Sequence, residues 1–141
     1  MLLNLDGRKI YFDLAGPQNA PTVCFTHSLA ADGGMWTEQL VPLLAAGYRV
    51  LRLDMRGHGG SQPVEGNYTM DQLAGDVKGA LDVLGIWKVH YIGLSIGGMI
   101  GQGFALAYPD RLKSLMLCDT HPSSPDDSAG LWDQRKAAVR K

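Results

Sequence analysis

Short apolar runs alternate along this chain with longer stretches whose apolar residues recur every three or four positions. Arg8 to Ala15 alternates weakly and predicts a strand, with Gly16-Pro17-Gln18-Asn19 as the turn behind it. Thr22 to Thr26 predicts a short buried strand, and 27–34 a loop. Met35 to Ala46 places Met35, Trp36, Leu40, Leu43 and Leu44 at helical spacing, with Pro42 predicting a kink or a late start. Arg49 to Asp54 is a third strand, and 55–66 a glycine-rich loop. Thr69 or Asp71 caps a helix running to Leu84 and stopping at Gly85, its apolar face formed by Met70, Leu73, Val77, Ala80, Leu81 and Leu84. Val89 to Leu94 is a strand, Ile96 to Ala107 a helix that Pro109 ends, and Leu112 to Cys118 a further strand.

Strands that alternate with helices predict an α/β fold: a mostly parallel sheet flanked by helices, with right-handed crossovers. Ligands in such folds bind beyond the C-terminal strand ends. Here those ends lead into His27-Ser28-Leu29, Asp54-Met55-Arg56, Ser95 and Asp119-Thr120-His121, four loops expected to rim one cleft. The core is expected over 1–120. Residues 121–128 are polar and broken by proline and read as a linker. Residues 129–141 read as an amphipathic helix with Leu131, Trp132, Ala138 and Val139 on its apolar side.

Composition narrows the function. The 141 residues suffice for one modest core, and a net charge of −1 argues against a dedicated nucleic-acid surface. No apolar run approaches the ~20 residues a bilayer needs, so no membrane partner is expected. Met1 to Asp6 lacks a basic start and a long apolar run, so no signal peptide is expected. Cys24 and Cys118 each lie inside an apolar strand and read as buried, reduced thiols. No Cys/His spacing fits zinc. The expectation is a cytoplasmic protein with neither metal nor cofactor.

The candidate chemistry lies in Gly93-Leu94-Ser95-Ile96-Gly97. A strand enters, a serine sits at the turn and a helix leaves, which is the context of a nucleophile elbow. Glycines on both sides allow a turn that a Cβ would block. The following helix aims its free N–H groups at the same point, where an anion is stabilised. The plainer alternative is an ordinary strand-to-helix turn with serine as N-cap.

Taken together, Thr26-His27-Ser28-Leu29 with Met35-Trp36, Asp54-Met55-Arg56-Gly57-His58-Gly59-Gly60-Ser61, Gly93 to Gly98, and Tyr108-Pro109-Asp110-Arg111 leading to Leu117-Cys118-Asp119-Thr120 resemble the α/β-hydrolase superfamily along essentially the whole chain. Within it they are similar to the small esterases and lactonases, the group that includes 3-oxoadipate enol-lactonase. Carboxylesterases, perhydrolases and carbon–carbon bond hydrolases share the same patterns. The resemblance implies Ser95 as nucleophile and the backbone N–H groups of Leu29 and Ile96 as an oxyanion hole. Two donors aimed where charge develops are worth on the order of 3 kcal/mol each. Many relatives carry His-Gly where this chain has His27-Ser28; Ser-Leu at Ser28-Leu29 fits the enol-lactonase branch.

Such a hydrolase also needs a histidine base and an orienting acid, in the order Ser, Asp/Glu, His. The resemblance puts both beyond the cap, in a C-terminal half of the fold supplied by further sequence or a second chain. The chain has about half the family's usual length and stops where the cap would begin, so alone it is expected to be inactive. Of its own histidines, His27 and His58 read as hydrogen-bonding loop residues, His90 lies at the wrong end of its strand, and His121 is at the right end but adjoins Asp119. Asp119 is a candidate acid, with loop capping as its alternative. Asp54 and Arg56 read as an ion pair or loop brace, with substrate contact as the alternative, and Trp36 and Tyr68 as core or cleft wall rather than specific readers. The expected activity of the complete protein is hydrolysis of a small ester or lactone through an acyl-enzyme. A ligand-binding relative without catalysis is the alternative.

Overall fold

Asp6 and Gly7 both adopt positive φ, 49° and 87°, and the chain reverses there. In this computed structural model, which describes residues 1–123 and 129–139, the reversal joins β1 (Leu2–Leu5) to β2 (Arg8–Ala15) as an antiparallel hairpin. Strand β1 was not expected from the sequence. Its four residues contain only two apolar alternations, but Leu3 and Leu5 are buried and place it on the sheet.

The remaining strands are β3 (Thr22–Thr26), β4 (Arg49–Leu53), β5 (Val89–Leu94) and β6 (Leu112–Cys118). The sheet order is β1-β2-β4-β3-β5-β6. The β4-β3-β5-β6 portion is parallel, and β2 joins β4 antiparallel. Thr26 pairs with both Leu53 and Gly93, and Leu94 pairs with Cys118. The exits of all four parallel strands therefore lie along one edge of the sheet.

Helices cover both faces. The segment expected to be helical from Met35 begins instead as a short 3-10 turn, Gly33–Trp36, which Asp32 caps by accepting from the Gly34 amide. Helix α1 (Thr37–Ala45) follows, and it starts five residues before Pro42, so the proline does not set the start. Pro42 sits inside it without ending it. The lost N–H forfeits one hydrogen bond, and no α1 residue is fully buried, so solvent reaches the helix. Helix α2 (Met70–Val83) opens with a capping box between Thr69 and Gln72. Helix α3 (Ile96–Ala107) leaves β5, and α4 (Ala129–Val139) follows residues 124–128. Most of the expected linker, 124–128, lies outside the described residues, as do the last two residues of the expected final helix.

On one face Ala80 and Leu81 of α2 meet Ile100 and Phe104 of α3 over Tyr91 of β5. Tyr91 and Phe104 stack with centroids 5.8 Å apart. On the other face Trp36 tilts against Phe25 at 4.7 Å, beside Val23 and Val50. Burial of each such large apolar side chain stabilises the fold by about 1.5–3 kcal/mol. Asp76 is buried on the inner side of α2 among apolar neighbours. Arg56 and Arg8 explain it: both reach its carboxylate. Among the described residues, no helix is long and apolar enough to cross a membrane.

Candidate active site

Ser95 stands between β5 and α3 with φ 54° and ψ −119°. An L-residue adopts this conformation only under strain of order 1–3 kcal/mol. The surroundings leave the turn no alternative. A Cβ on Gly93 would overlap the Gly97 carbonyl. One on Gly97 would stand 2.5 Å from the Thr26 carbonyl oxygen and 2.8 Å from that of His27. One on Gly98 would lie 2.6 Å from the Thr120 methyl. The elbow is thus wedged between the exits of β3 and β6, and three glycines permit it.

Hydrogen bonds hold the elbow in place. The Ser95 amide donates to the Cys118 carbonyl at 2.9 Å. The Ser95 carbonyl accepts from the amides of Gly98 (2.9 Å) and Met99 (3.1 Å), and from the Thr120 hydroxyl at 2.7 Å. Beneath it, the hydroxyls of Thr26 and Tyr91 lie 2.7 Å apart, each 3.1 Å from the Gly97 carbonyl oxygen. Two hydroxyl protons serve three contacts, so one hydroxyl donates to the other and the second donates to Gly97. Burial raises the Tyr91 phenol well above its ordinary value, which keeps that proton in place.

The loop after β3 carries the second candidate donor. Leu29 is 42% exposed, and Ala30 after it has φ 58°. Among the described residues, neither the Leu29 amide nor the Ile96 amide donates to another protein group. Ile96 begins α3, where the first amides have no intrahelical acceptor.

His27 is fully buried. Its Nε2 accepts from the Met55 amide at 2.9 Å, and its Nδ1 lies 2.8 Å from the Ser28 carbonyl oxygen. An amide can only donate and a carbonyl can only accept, so the ring is neutral with its proton on Nδ1. Burial lowers its pKa, reinforced by the His58 ring at 5.2 Å. His27 therefore ties the β3 loop to the β4 loop, with both nitrogens engaged. His58 Nδ1 lies 3.2 Å from the Arg56 carbonyl. His90 meets the Ser114 hydroxyl at 2.8 Å near the N-terminal end of β5, and His121 is exposed.

Asp54 and Arg56 do not pair with each other. The buried Asp54 carboxylate accepts from the amides of Gly33 (2.7 Å) and Gly60 (2.9 Å), bracing two loops. Arg56 turns to Asp76 instead, with two contacts of 2.6 Å. The partner was missed because Asp76 falls beside the apolar face of α2. Trp36 is core, and Tyr68 closes its own loop by bonding the Val64 amide and carbonyl. Asp119 is exposed, with φ 43°. A polar hollow of about 320 Å³ opens beside Asp32, Arg52 and Asp54, and no elbow residue lines it. Cys24 is buried, and burial pushes its thiol up to about 12. Among the described residues, no three His, Cys, Asp or Glu side chains are grouped to hold a metal ion.

A mostly parallel sheet, a strained serine between strand and helix, and glycines that let the turn close define the class. Residues 21–140 match the model of the alpha/beta hydrolase fold family, and the chain belongs to that family. It corresponds to the N-terminal portion of the fold. It is 35% identical over 139 residues to 3-oxoadipate enol-lactonase 1 of Acinetobacter baylyi, covering 99% of this chain and 51% of the relative. The crystal structure of a hydrolase from Pseudomonas aeruginosa superposes with a TM-score of 0.90 at 38% identity, covering 100% of this chain and 52% of that one. That of the enol-lactonase from Burkholderia xenovorans gives 0.85 at 33% identity, covering 99% and 58%. The chain spans about half the length of the curated relatives it matches.

Proposed function

We propose that this chain carries the nucleophile and oxyanion hole of a serine hydrolase acting on small carboxylic esters or lactones. The observation that carries the reading is the strained backbone of Ser95, φ 54°, at the start of α3 and at the exit edge of the sheet. The Ser95 Oγ attacks the substrate carbonyl carbon while a general base takes its proton. The carbonyl π electrons move to oxygen, and the Leu29 and Ile96 amides stabilise the resulting oxyanion. Collapse expels the alkoxide, which is protonated, and leaves an acyl group on Ser95. Water then attacks the acyl carbon and releases the acid.

The base is not His27, whose two nitrogens are engaged. A histidine and an acid from a C-terminal half of the fold fit the half-length match to the relatives. In this reading α4 (Ala129–Val139) is the first helix of a cap that supplies most of the substrate pocket. Asp119, on an exposed positive-φ turn beside the elbow, is the chain's own candidate acid.

Fluorophosphonate labelling of the protein expressed from its complete reading frame tests this. Modification at Ser95, lost in Ser95→Ala, supports the reading. A folded protein that takes no label overturns it in favour of a ligand-binding relative.

A further inference from the structure

Both proposed oxyanion donors are amides, and each amide shares a peptide unit with a carbonyl that a side chain holds from behind. The Leu29 N–H belongs to the Ser28–Leu29 peptide, whose carbonyl oxygen accepts from His27 Nδ1 at 2.8 Å. The Ile96 N–H belongs to the Ser95–Ile96 peptide, whose carbonyl oxygen accepts from the Thr120 hydroxyl at 2.7 Å. In a trans peptide the C=O and N–H point in opposite directions within one plane. Anchoring the oxygen therefore aims the N–H. We infer that His27 and Thr120 are positioning residues that orient the two oxyanion donors, one behind each peptide.

The surroundings explain why anchors are needed. Ser95 has positive φ, and Ala30 follows the Leu29 peptide with positive φ, so neither segment rests in a favoured backbone well. Rotation of the Ser95–Ile96 peptide would change the strained ψ of Ser95 and turn the Ile96 N–H away, and rotation of the Ser28–Leu29 peptide would turn the Leu29 N–H away. The anchors oppose that rotation alongside main-chain donors, the Gly98 and Met99 amides on the Ser95 carbonyl and the Ala31 amide at 3.3 Å on that of Ser28, and both are themselves held. His27 is fully buried and fixed at Nε2 by the Met55 amide. Thr120 presses its methyl and hydroxyl against the bare Cα of Gly98, within 3.0 Å of where a Cβ would stand. A hydrogen bond to the carbonyl also polarises the peptide and strengthens its N–H as a donor. Thr120 is the less obvious of the two. It follows β6, 25 residues beyond the serine it serves, and nothing in its own neighbourhood marks it.

The proposal rests on the oxyanion-hole reading, and the experiment separates the two. The protein from the complete reading frame is labelled with a fluorophosphonate, and the second-order rate at Ser95 is compared among variants of matched fold, checked by circular dichroism and unfolding midpoint. Thr120→Val keeps the shape and removes the donor, and should slow labelling tenfold or more; Thr120→Ser should rescue it. At position 27, asparagine can place an amide nitrogen near Nδ1, whereas glutamine fills the space better but places its amide near Nε2. Aiming predicts that His27→Asn is faster than His27→Gln. A role in packing alone predicts the reverse order. Should Thr120→Val not fold, the order at position 27 decides. Equal rates for Thr120→Val and wild type, or glutamine faster than asparagine, overturn the positioning role while the nucleophile stands. An unlabelled, folded wild type overturns both.

Discussion

The Arg56 guanidinium grips the Asp76 carboxylate through two hydrogen bonds of 2.6 Å, with the two side chains only 6% and 10% exposed. The pair links the loop after β4 to the inner side of α2. Hydrogen bonding to Asp76 raises the Arg56 pKa further, so the guanidinium stays charged throughout the working range. Removing one partner strands a buried charge. Asp76→Ala should therefore destabilise the protein by about 3–5 kcal/mol. Arg56→Met with Asp76→Leu should recover much of that loss, because the buried guanidinium leaves with its partner and only the partly exposed Arg8 loses a contact. Urea unfolding of Arg56→Met, Asp76→Leu and the double variant checks this. Additive losses would show that the pair is not coupled.

Gly97 offers a sharper contrast. A Cβ there would stand 2.5 Å from a main-chain oxygen of β3, which cannot give way as a side chain can. Gly97→Ala should cost about 1–3 kcal/mol, the usual penalty of overpacking, and should abolish Ser95 labelling by displacing the elbow. Gly103, on the same helix, is the control. A Cβ there meets the Ala74 methyl at 3.8 Å, ordinary contact, and its φ is not positive. Gly103→Ala should stabilise by about 0.5–1 kcal/mol through helix propensity. Thermal unfolding of the two variants should move in opposite directions.

The contrast also bears on what could be read from residues alone. The parallel strands and α2 were legible because short apolar runs and a 3.6-residue apolar period point to strand and helix, and α3 because an apolar stretch lies between the Ser95 turn and Pro109. The strand-to-helix turn at Ser95 was legible because the glycine spacing around it answers a local need. Strand β1 was not, since four residues carry too little periodicity. The Arg56–Asp76 pair and the Thr120–Ser95 contact were not either. Each joins residues 20 and 25 positions apart, and a polar side chain carries no mark of a distant partner. His27 could be read as a hydrogen-bonding loop residue, but its partners depend on where the β4 loop lies.

The buried neutral ring of His27 makes stability depend on pH. Its folded pKa lies below the ordinary 6.5, chiefly through burial, reinforced by His58 and opposed by the Ser28 carbonyl, Asp54 and Asp32. The unfolded chain therefore takes up a proton more readily than the folded one. Stability from this group is complete above pH 6.5 and falls as the pH drops below it toward the folded pKa. One proton gives a slope of at most about 1.4 kcal/mol per pH unit. Denaturant midpoints between pH 7.5 and 5 should decline in wild type and decline less in His27→Asn. An identical pH slope in the two proteins would exclude His27 as its source.

Ser95 itself should show the cost of its conformation. With φ 54° and ψ −119°, any Cβ-bearing residue at this position is strained by about 1–3 kcal/mol. Ser95→Ala keeps the Cβ and the strain, whereas Ser95→Gly removes both. Glycine also enlarges the unfolded ensemble, which takes back about 0.5–1 kcal/mol. The net expectation is that Ser95→Gly is more stable than Ser95→Ala by about 1 kcal/mol, in the same direction as the advantage glycine has over alanine at a helix N-cap. Both variants lose the hydroxyl and should be silent toward the fluorophosphonate, so function cannot confound the comparison. If Ser95→Gly unfolds no later than Ser95→Ala, the turn holds no strain to release. A higher midpoint for Ser95→Gly would show that the native serine is held in a conformation that glycine relaxes.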